Sequence, residues 1–176
     1  KIIYASSGGT VYADNFSRMP YQEIDSCMPI NTYGIQKYTI ENYITHYTHV
    51  YGIDSIILRL SNPYGLLLDP ERKQGLIGVV LSRILNDKPI TVFGSPDNVR
   101  DYLHLDDMVR AFECSLSSDT SGEVYNIGSG VGHSVAEILA KIESITGQQV
   151  QREYIDNEVM SRLANWNVLN ISKAEV

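Results

Sequence analysis

"NTYGIQKYTIENYITHYTHVYG", residues 31–52, is the stretch on which the fold turns. Asn31 or Thr32 suits the first cap of a helix that runs to about Val50, and Gly52 suits its end. Before it, "KIIYASS" (residues 1–7) reads as a buried strand ending in small polar residues. After it, "SIILRLSN" (residues 55–62) is a second continuous apolar strand, followed by the turn "PYG". A helix between two strands is the repeating unit of an α/β architecture with a parallel sheet.

The rest of the chain continues the alternation. From about Gln74 to Asn86, Ile77, Val80, Leu81, Ile84 and Leu85 recur at helical spacing, and "ITVFG" after them is a short strand. Asp106 starts a helix through Met108, Val109, Phe112 and Leu116, and "EVYNIG" is a strand. Ser134 and Glu137 form a capping box for a helix that closes at Gly147. "VQREYI" is a further strand, and the tail "NVLNISKAEV" ends as though a last helix were beginning.

The bulk numbers narrow the function classes. The 176 residues suffice for one domain with a core, or for one domain and part of another. A net charge of -7 disfavours general nucleic-acid binding, which takes an excess of Lys and Arg. The 43% hydrophobic content lies in blocks far shorter than the ~20 residues of a membrane span, so no membrane partner is expected. Cys27 and Cys114 fit no metal-ligand spacing and suit a reducing, cytoplasmic setting. Starting at Lys1 and entering a strand at once, the chain reads as a piece of something longer.

Tyr33, Lys37, Ile40, Ile44, Tyr47 and Tyr51 follow one helical stripe, which predicts that Tyr33 and Lys37 point toward the sheet. A lysine there is costly unless partnered, or unless its stem covers apolar surface while its head reaches water. The functional alternative is chemical: a cation one turn from a phenol stabilises the phenolate that desolvation opposes, which suits proton removal from a sugar or alcohol hydroxyl. Upstream, "SSGGTVY" offers the hydroxyls of Ser6, Ser7 and Thr10 beside backbone exposed at Gly8 and Gly9, which would complete a proton-transfer group.

"SSGGTVY", "YGIQK", "LRLSNPYG" and "NVRDYLHLDD", in this order and spacing, resemble the extended short-chain dehydrogenase/reductase family, nearest to nucleotide-sugar epimerases of the UDP-glucose 4-epimerase type. The resemblance implies NAD as cofactor, a nucleotide-sugar substrate and a homodimer paired through the Tyr33 and Asp106 helices. It also implies the C-terminal part of a Rossmann-type parallel sheet with a smaller α/β substrate-binding lobe. Residues 1–65 and 105–132 would belong to the NAD-binding domain and 66–104 and 133–176 to the lobe. Tyr33 would be the general base and Lys37 the ligand of the nicotinamide ribose. Thr10 would relay protons, with Ser7 in reserve, because the family's usual serine position is Gly8. Ser6 and Pro63 would flank the cofactor. Asn62 and Arg100 would grip the diphosphate, with Gln74, Phe93 and Arg162 as further substrate contacts. Asn167 would gate the sugar and leave room for an N-acetyl group.

The same comparison separates activities. A 4,6-dehydratase of this type carries an Asp-Glu pair where Gly9 and Thr10 stand, so dehydration is disfavoured. The expected reaction is C4 epimerisation through a 4-keto sugar. Its rivals are an NAD(P)-dependent keto-sugar reductase and, in another class, a non-catalytic dinucleotide sensor. "GSGVGH" (residues 128–133) imitates a dinucleotide fingerprint, yet His133 stands where Gly or Ala would let a helix approach, so it reads as a structural turn. His46 and His49 share a helix without a third ligand, and no metal site is expected.

Overall fold

A computed structural model describes residues 1–13, 19–72, 74–149, 152–155 and 165–175. Its centre is a three-stranded parallel sheet of β1 (Ile2–Ser7), β2 (Ser55–Leu60) and β6 (Glu123–Ile127), in the order β1-β2-β6. Ile56, Ile57 and Leu58 of β2 are all at most 3% exposed, as expected for a middle strand covered on both faces. The connection from β1 to β2 carries α1 (Thr32–Tyr51), as the strand-helix-strand reading required. The Asn31 side chain accepts from the Gly34 amide at its start, and Gly52, left-handed at φ 66°, ends it.

The face that α1 buries differs from the predicted stripe. Tyr33, Ile40, Tyr47 and Tyr51 are exposed, whereas Gly34, Glu41 and Ile44 are buried. The reason lies in two polar devices that an apolar pattern does not reveal. A Cβ on Gly34 would lie 2.3 Å from the Thr10 carbonyl oxygen, so only glycine lets the helix start rest on that turn. Glu41 is buried because it faces the Arg59 guanidinium, at 2.7 Å from Nη2.

A second sheet contains β3 (Asn62–Tyr64), β5 (Val99–His104), β7 (Gly132–Ser134) and β9 (Trp166–Asn167). β5 runs parallel to β3 and β9 and antiparallel to β7. The "PYG" turn is thus partly a strand, and a strand runs through the "NVRDYLH" motif. Their pairings join residues tens of positions apart, so neither has a local signature. The beginning of a final helix is also not seen: the tail contributes β9, bridges Leu169 to Tyr21 and turns at residues 172–174.

α2 (Leu76–Leu85) and α4 (Val135–Thr146) pack with β4 (Ile90–Phe93), which pairs in parallel with β8 (Arg152–Ile155). Val80, Ile90, Val92, Ile138, Leu139 and Ile142 form the apolar centre of this group. The Ser134–Glu137 capping box is formed in both directions. α3 (Leu105–Ser117) follows β5 directly, with the His104 side chain accepting from the Asp106 amide. Among the described residues no helix is long and apolar enough to cross a membrane, and no group of three or more His, Cys, Asp or Glu is placed to hold a metal ion.

Candidate active site

Three segments meet at the C-terminal ends of β1 and β2. The first is the turn after β1, where the Thr10 and Val11 amides donate to the Ser7 carbonyl at 3.1 and 3.2 Å. Gly8 is closed in: a Cβ there would meet the Leu169 methyls at 2.6 and 2.8 Å. A serine at this position, where the family resemblance places one, would have to push the Leu169 side chain aside, with its Cβ 3.1 Å from the Arg59 carbonyl oxygen. Ser7 is half-buried, and the Thr10 hydroxyl is buried without a hydrogen-bond partner among the described residues.

The second segment is the start of α1. The Lys37 ammonium donates to the Ala5 carbonyl at 2.8 Å and lies 5.1 Å from the Tyr4 ring centroid and 5.5 Å from that of Tyr33. One of its three N–H groups is thereby used, and two remain for a ligand. Tyr33 is 53% exposed, so its phenol is open to solvent beside that cation. Gly34 seats the start of α1 on the Thr10 carbonyl, so the helix that carries Tyr33 and Lys37 packs beside the turn that carries Ser7 and Thr10. Burial raises the Tyr4 phenol above its usual range, with the Glu41 and Tyr33 charges adding.

Ser6 turns the other way. It is 3% exposed, and its hydroxyl donates to Glu41 Oε1. Glu41 in turn receives both Nε and Nη2 of Arg59, Arg59 Nη1 donates to the Tyr12 oxygen at 3.0 Å, and the Tyr12 hydroxyl donates to Asn126 Oδ1 at 2.6 Å. Burial opposes the Arg59 charge, but the Glu41 and Tyr12 contacts outweigh it and hold the guanidinium above its ordinary range. The phenol of Tyr12 is pushed up to about 12, chiefly by burial. Glu41 and Arg59 were not singled out in the sequence. The signal was there: an arginine inside the apolar run "SIILRL" demands a buried anion.

The third segment is the second sheet. Asn62 donates from Nδ2 to the Asp101 carbonyl at 2.9 Å, and β3 and β5 place it opposite Tyr102. Arg100 has His133 as its cross-strand partner on one side and Asn167 on the other. Its Nη1 donates to the Val99 carbonyl at 2.7 Å, and no carboxylate pairs with it among the described residues. Burial therefore pulls its pKa down, and burial raises that of neighbouring Tyr102. A desolvated cation lacking a carboxylate is a ready anion ligand. Asn167 is 3% exposed and donates from Nδ2 to the Gly8 carbonyl at 3.1 Å, tying the Arg100 strand to the Thr10 turn, while its Oδ1 stays unpartnered.

The remaining candidates lie apart from these contacts or beyond description. Pro63 is exposed on β3, opposite Leu103. Gln74 is exposed just before α2, and the backbone of Phe93 ends β4 in the third sheet. Arg162 lies outside the described residues. The glycine-rich "GSGVGH" turn does not present its amides for a dinucleotide. Ser129 and Gly130 donate them to the Asp101 carboxylate at 2.8 and 3.1 Å.

The comparisons with known proteins agree with this geometry. Residues 1–128 match the NAD dependent epimerase/dehydratase family. The chain is 41% identical over 143 residues to the dTDP-4-dehydro-6-deoxyglucose reductase of Escherichia coli, covering 81% of this chain and 45% of that protein. It is 35% identical over 147 residues to a putative UDP-glucose 4-epimerase of Methanocaldococcus jannaschii, covering 84% of this chain and 47% of the other. The UDP-glucose 4-epimerase of Thermotoga maritima, solved with UDP-glucose, superposes with a TM-score of 0.87 at 31% identity, over 98% of this chain and 55% of that one. The chain spans about half the length of the curated relatives it matches. In sequence and in fold, this chain belongs to the NAD dependent epimerase/dehydratase family.

Proposed function

We propose that the protein carrying this chain interconverts C4 epimers of a nucleoside diphosphate sugar with NAD as its cofactor. The observation that carries the reading is an exposed Tyr33 phenol with the Lys37 ammonium 5.5 Å from its ring, on the start of a helix that Gly34 seats against the turn carrying Thr10. The two N–H groups of Lys37 left free by the Ala5 carbonyl fit vicinal ribose hydroxyls, and Pro63 flanks the cofactor, whereas the Ser6 hydroxyl, expected there from the sequence, is held by Glu41 instead. The Lys37 donors suit a dinucleotide. The chemistry NAD supplies when bound is reversible hydride acceptance at the sugar C4.

Tyr33, as the phenolate, takes the proton of the 4-hydroxyl, with Thr10, and Ser7 in reserve, as the relay between them, and gives it back to the C4 oxygen when the 4-keto sugar is reduced again. Lys37 stays fixed by the Ala5 carbonyl and stabilises the phenolate form before it takes the proton. Arg100 and the second amide hydrogen of Asn62 hold the diphosphate, while the sugar turns over beside Gly9, where a Cβ would meet nothing within 4 Å. Gln74, Phe93 and Arg162 extend the substrate site. Asn167 limits the space at the sugar, because its amide is anchored to Gly8. On this reading residues 1–65 and 105–132 serve the cofactor and 66–104 and 133–176 the substrate. The protein works in the cytoplasm as a homodimer through the exposed apolar faces of α1 and α3, an assembly that a monomeric mass in sedimentation would refute.

The 41% identity to a reductase favours a second reading, in which the same tyrosine and lysine serve stoichiometric reduction of a 4-keto sugar. Gly9 and Thr10 lack the acid pair of a dehydratase. Proton NMR of the NAD-loaded protein with UDP-glucose, UDP-N-acetylglucosamine and their dTDP counterpart decides between them. New anomeric signals of the galacto isomer with no net cofactor loss establish epimerisation. Stoichiometric consumption of added NAD(P)H with a 4-keto sugar, and no isomerisation, establishes the reductase.

A further inference from the structure

Asp101 is fully buried and has no cationic partner among the described residues, yet no step of the proposed reaction uses its carboxylate. Its surroundings are built for it. Oδ1 accepts from the amide and the hydroxyl of Ser129, both at 2.8 Å. Oδ2 accepts from the amides of Gly130 at 3.1 Å and Leu169 at 3.3 Å. The turn between β6 and β7 thus forms a small anion nest that the chain fills with its own carboxylate. Gly128 is part of the fit, since a Cβ there would lie 2.5 Å from Oδ2.

Buried hydrogen bonds to a charged acceptor are among the stronger ones, and these four join β5, the glycine turn and the tail that follows β9. Two substrate-facing groups hang from this junction. Arg100 is the neighbour of Asp101 along β5 and therefore projects to the opposite face of the sheet. Asn62 is oriented by the Asp101 carbonyl. Asn167, paired with Arg100, lies two residues before Leu169, whose amide the carboxylate also holds.

We propose that Asp101 is a positioning residue for nucleoside diphosphate binding: by clamping the glycine turn and the Leu169 amide, it aims Arg100 and Asn62 at the diphosphate. This rests on the reading of Arg100 and Asn62 as diphosphate ligands. In Asp101→Asn one carboxylate oxygen becomes an N–H donor that faces other donors, so half of the clamp is lost while its volume is kept. The carboxylate reaches the catalytic turn only at one remove, through Leu169 on Gly8, and its own hydrogen bonds go to the glycine turn and the tail. The expected signature is therefore a loss of nucleotide affinity with little change in saturated turnover or NAD content.

The test is calorimetric titration of UDP and dTDP into the NAD-loaded protein, alongside kcat and KM. Asp101→Asn is expected to weaken nucleotide binding about 10- to 100-fold and to raise KM equally, with kcat within about threefold. Ser129→Ala removes one donor and should still fold, with a loss of about three- to fivefold. In an Arg100→Ala background each change should weaken binding by a smaller factor, the part that acts through Asn62. If Arg100→Ala alone binds like the unaltered protein, the diphosphate site itself is misread. If Arg100→Ala binds weakly but Ser129→Ala and Asp101→Asn bind normally, the positioning role is refuted. A fall in kcat, NAD content and affinity together marks Asp101 as structural only and also overturns it.

Discussion

Tyr33 and Lys37 are adjacent on α1 but play opposite parts in the fold. Lys37 is anchored inward to the Ala5 carbonyl, with its ammonium over the Tyr4 ring. Tyr33 is left outside, with more than half of its surface open. A phenol in that position is available to a substrate and contributes little to packing. Tyr33→Phe should therefore lower turnover about 10²- to 10⁴-fold, the usual range for a positioned proton-transfer group, with thermal midpoint and nucleotide affinity nearly unchanged. Turnover within twofold of the parent would remove Tyr33 from the mechanism. The motif pair was legible in the sequence because it depends only on helical spacing. Which of the two would be exposed was not, because that depends on what packs against each.

α1 is held to the sheet less by apolar contact than by one ion pair. Glu41 and Arg59 are 3% and 6% exposed at their side chains, and the carboxylate also takes the Ser6 hydroxyl. Removing one partner leaves the other charge buried, which costs about 3–5 kcal/mol. Glu41→Gln should lower the unfolding free energy by an amount of that order and reduce activity, since Tyr33 and Lys37 ride on the same helix. The paired replacement of Glu41→Leu with Arg59→Met removes both charges and should recover most of the stability. Denaturant midpoints for the three proteins check this, and a double variant no better than the single one would show that the pair itself, rather than a stranded Arg59 charge, carries the stability. An arginine in "SIILRL" announced the need for a buried anion, but a carboxylate 18 residues away in sequence could be identified as its partner only once β2 and α1 were side by side.

The polar chain through Glu41, Arg59, Tyr12, Asn126 and the Tyr21 carbonyl spans from α1 to β6 and gives the whole molecule an alkaline limit. The Tyr12 phenol is held at about 12, against about 10 in an unfolded chain. Between those values the unfolded state has released a proton that the folded state retains. Stability present below pH ~10 is thus lost as the pH rises toward 12, at up to ~1.4 kcal/mol per unit. Tyr4 and Tyr102, also raised by burial, act in the same direction. Tyr12→Phe should make the fall in urea midpoint above pH 10 shallower while lowering stability at neutral pH through the lost hydrogen bonds. An unchanged alkaline slope would exclude Tyr12 as its source.

Helix starts and ends, the capping box at Ser134, the strands of the central sheet and the Tyr33/Lys37 pair were all readable from the chain. Each rests on spacing within a few residues, where backbone geometry and side-chain type suffice. The buried face of α1, the sheet built on β5, the packing of Leu169 against Gly8 and the capture of Asp101 by the "GSG" turn were readable only in three dimensions. They join residues distant in sequence, from 18 positions for Glu41 and Arg59 to 159 for Gly8 and Asn167. Which of many polar groups meets a given buried charge is settled by packing, where an unmatched charge is too costly to leave.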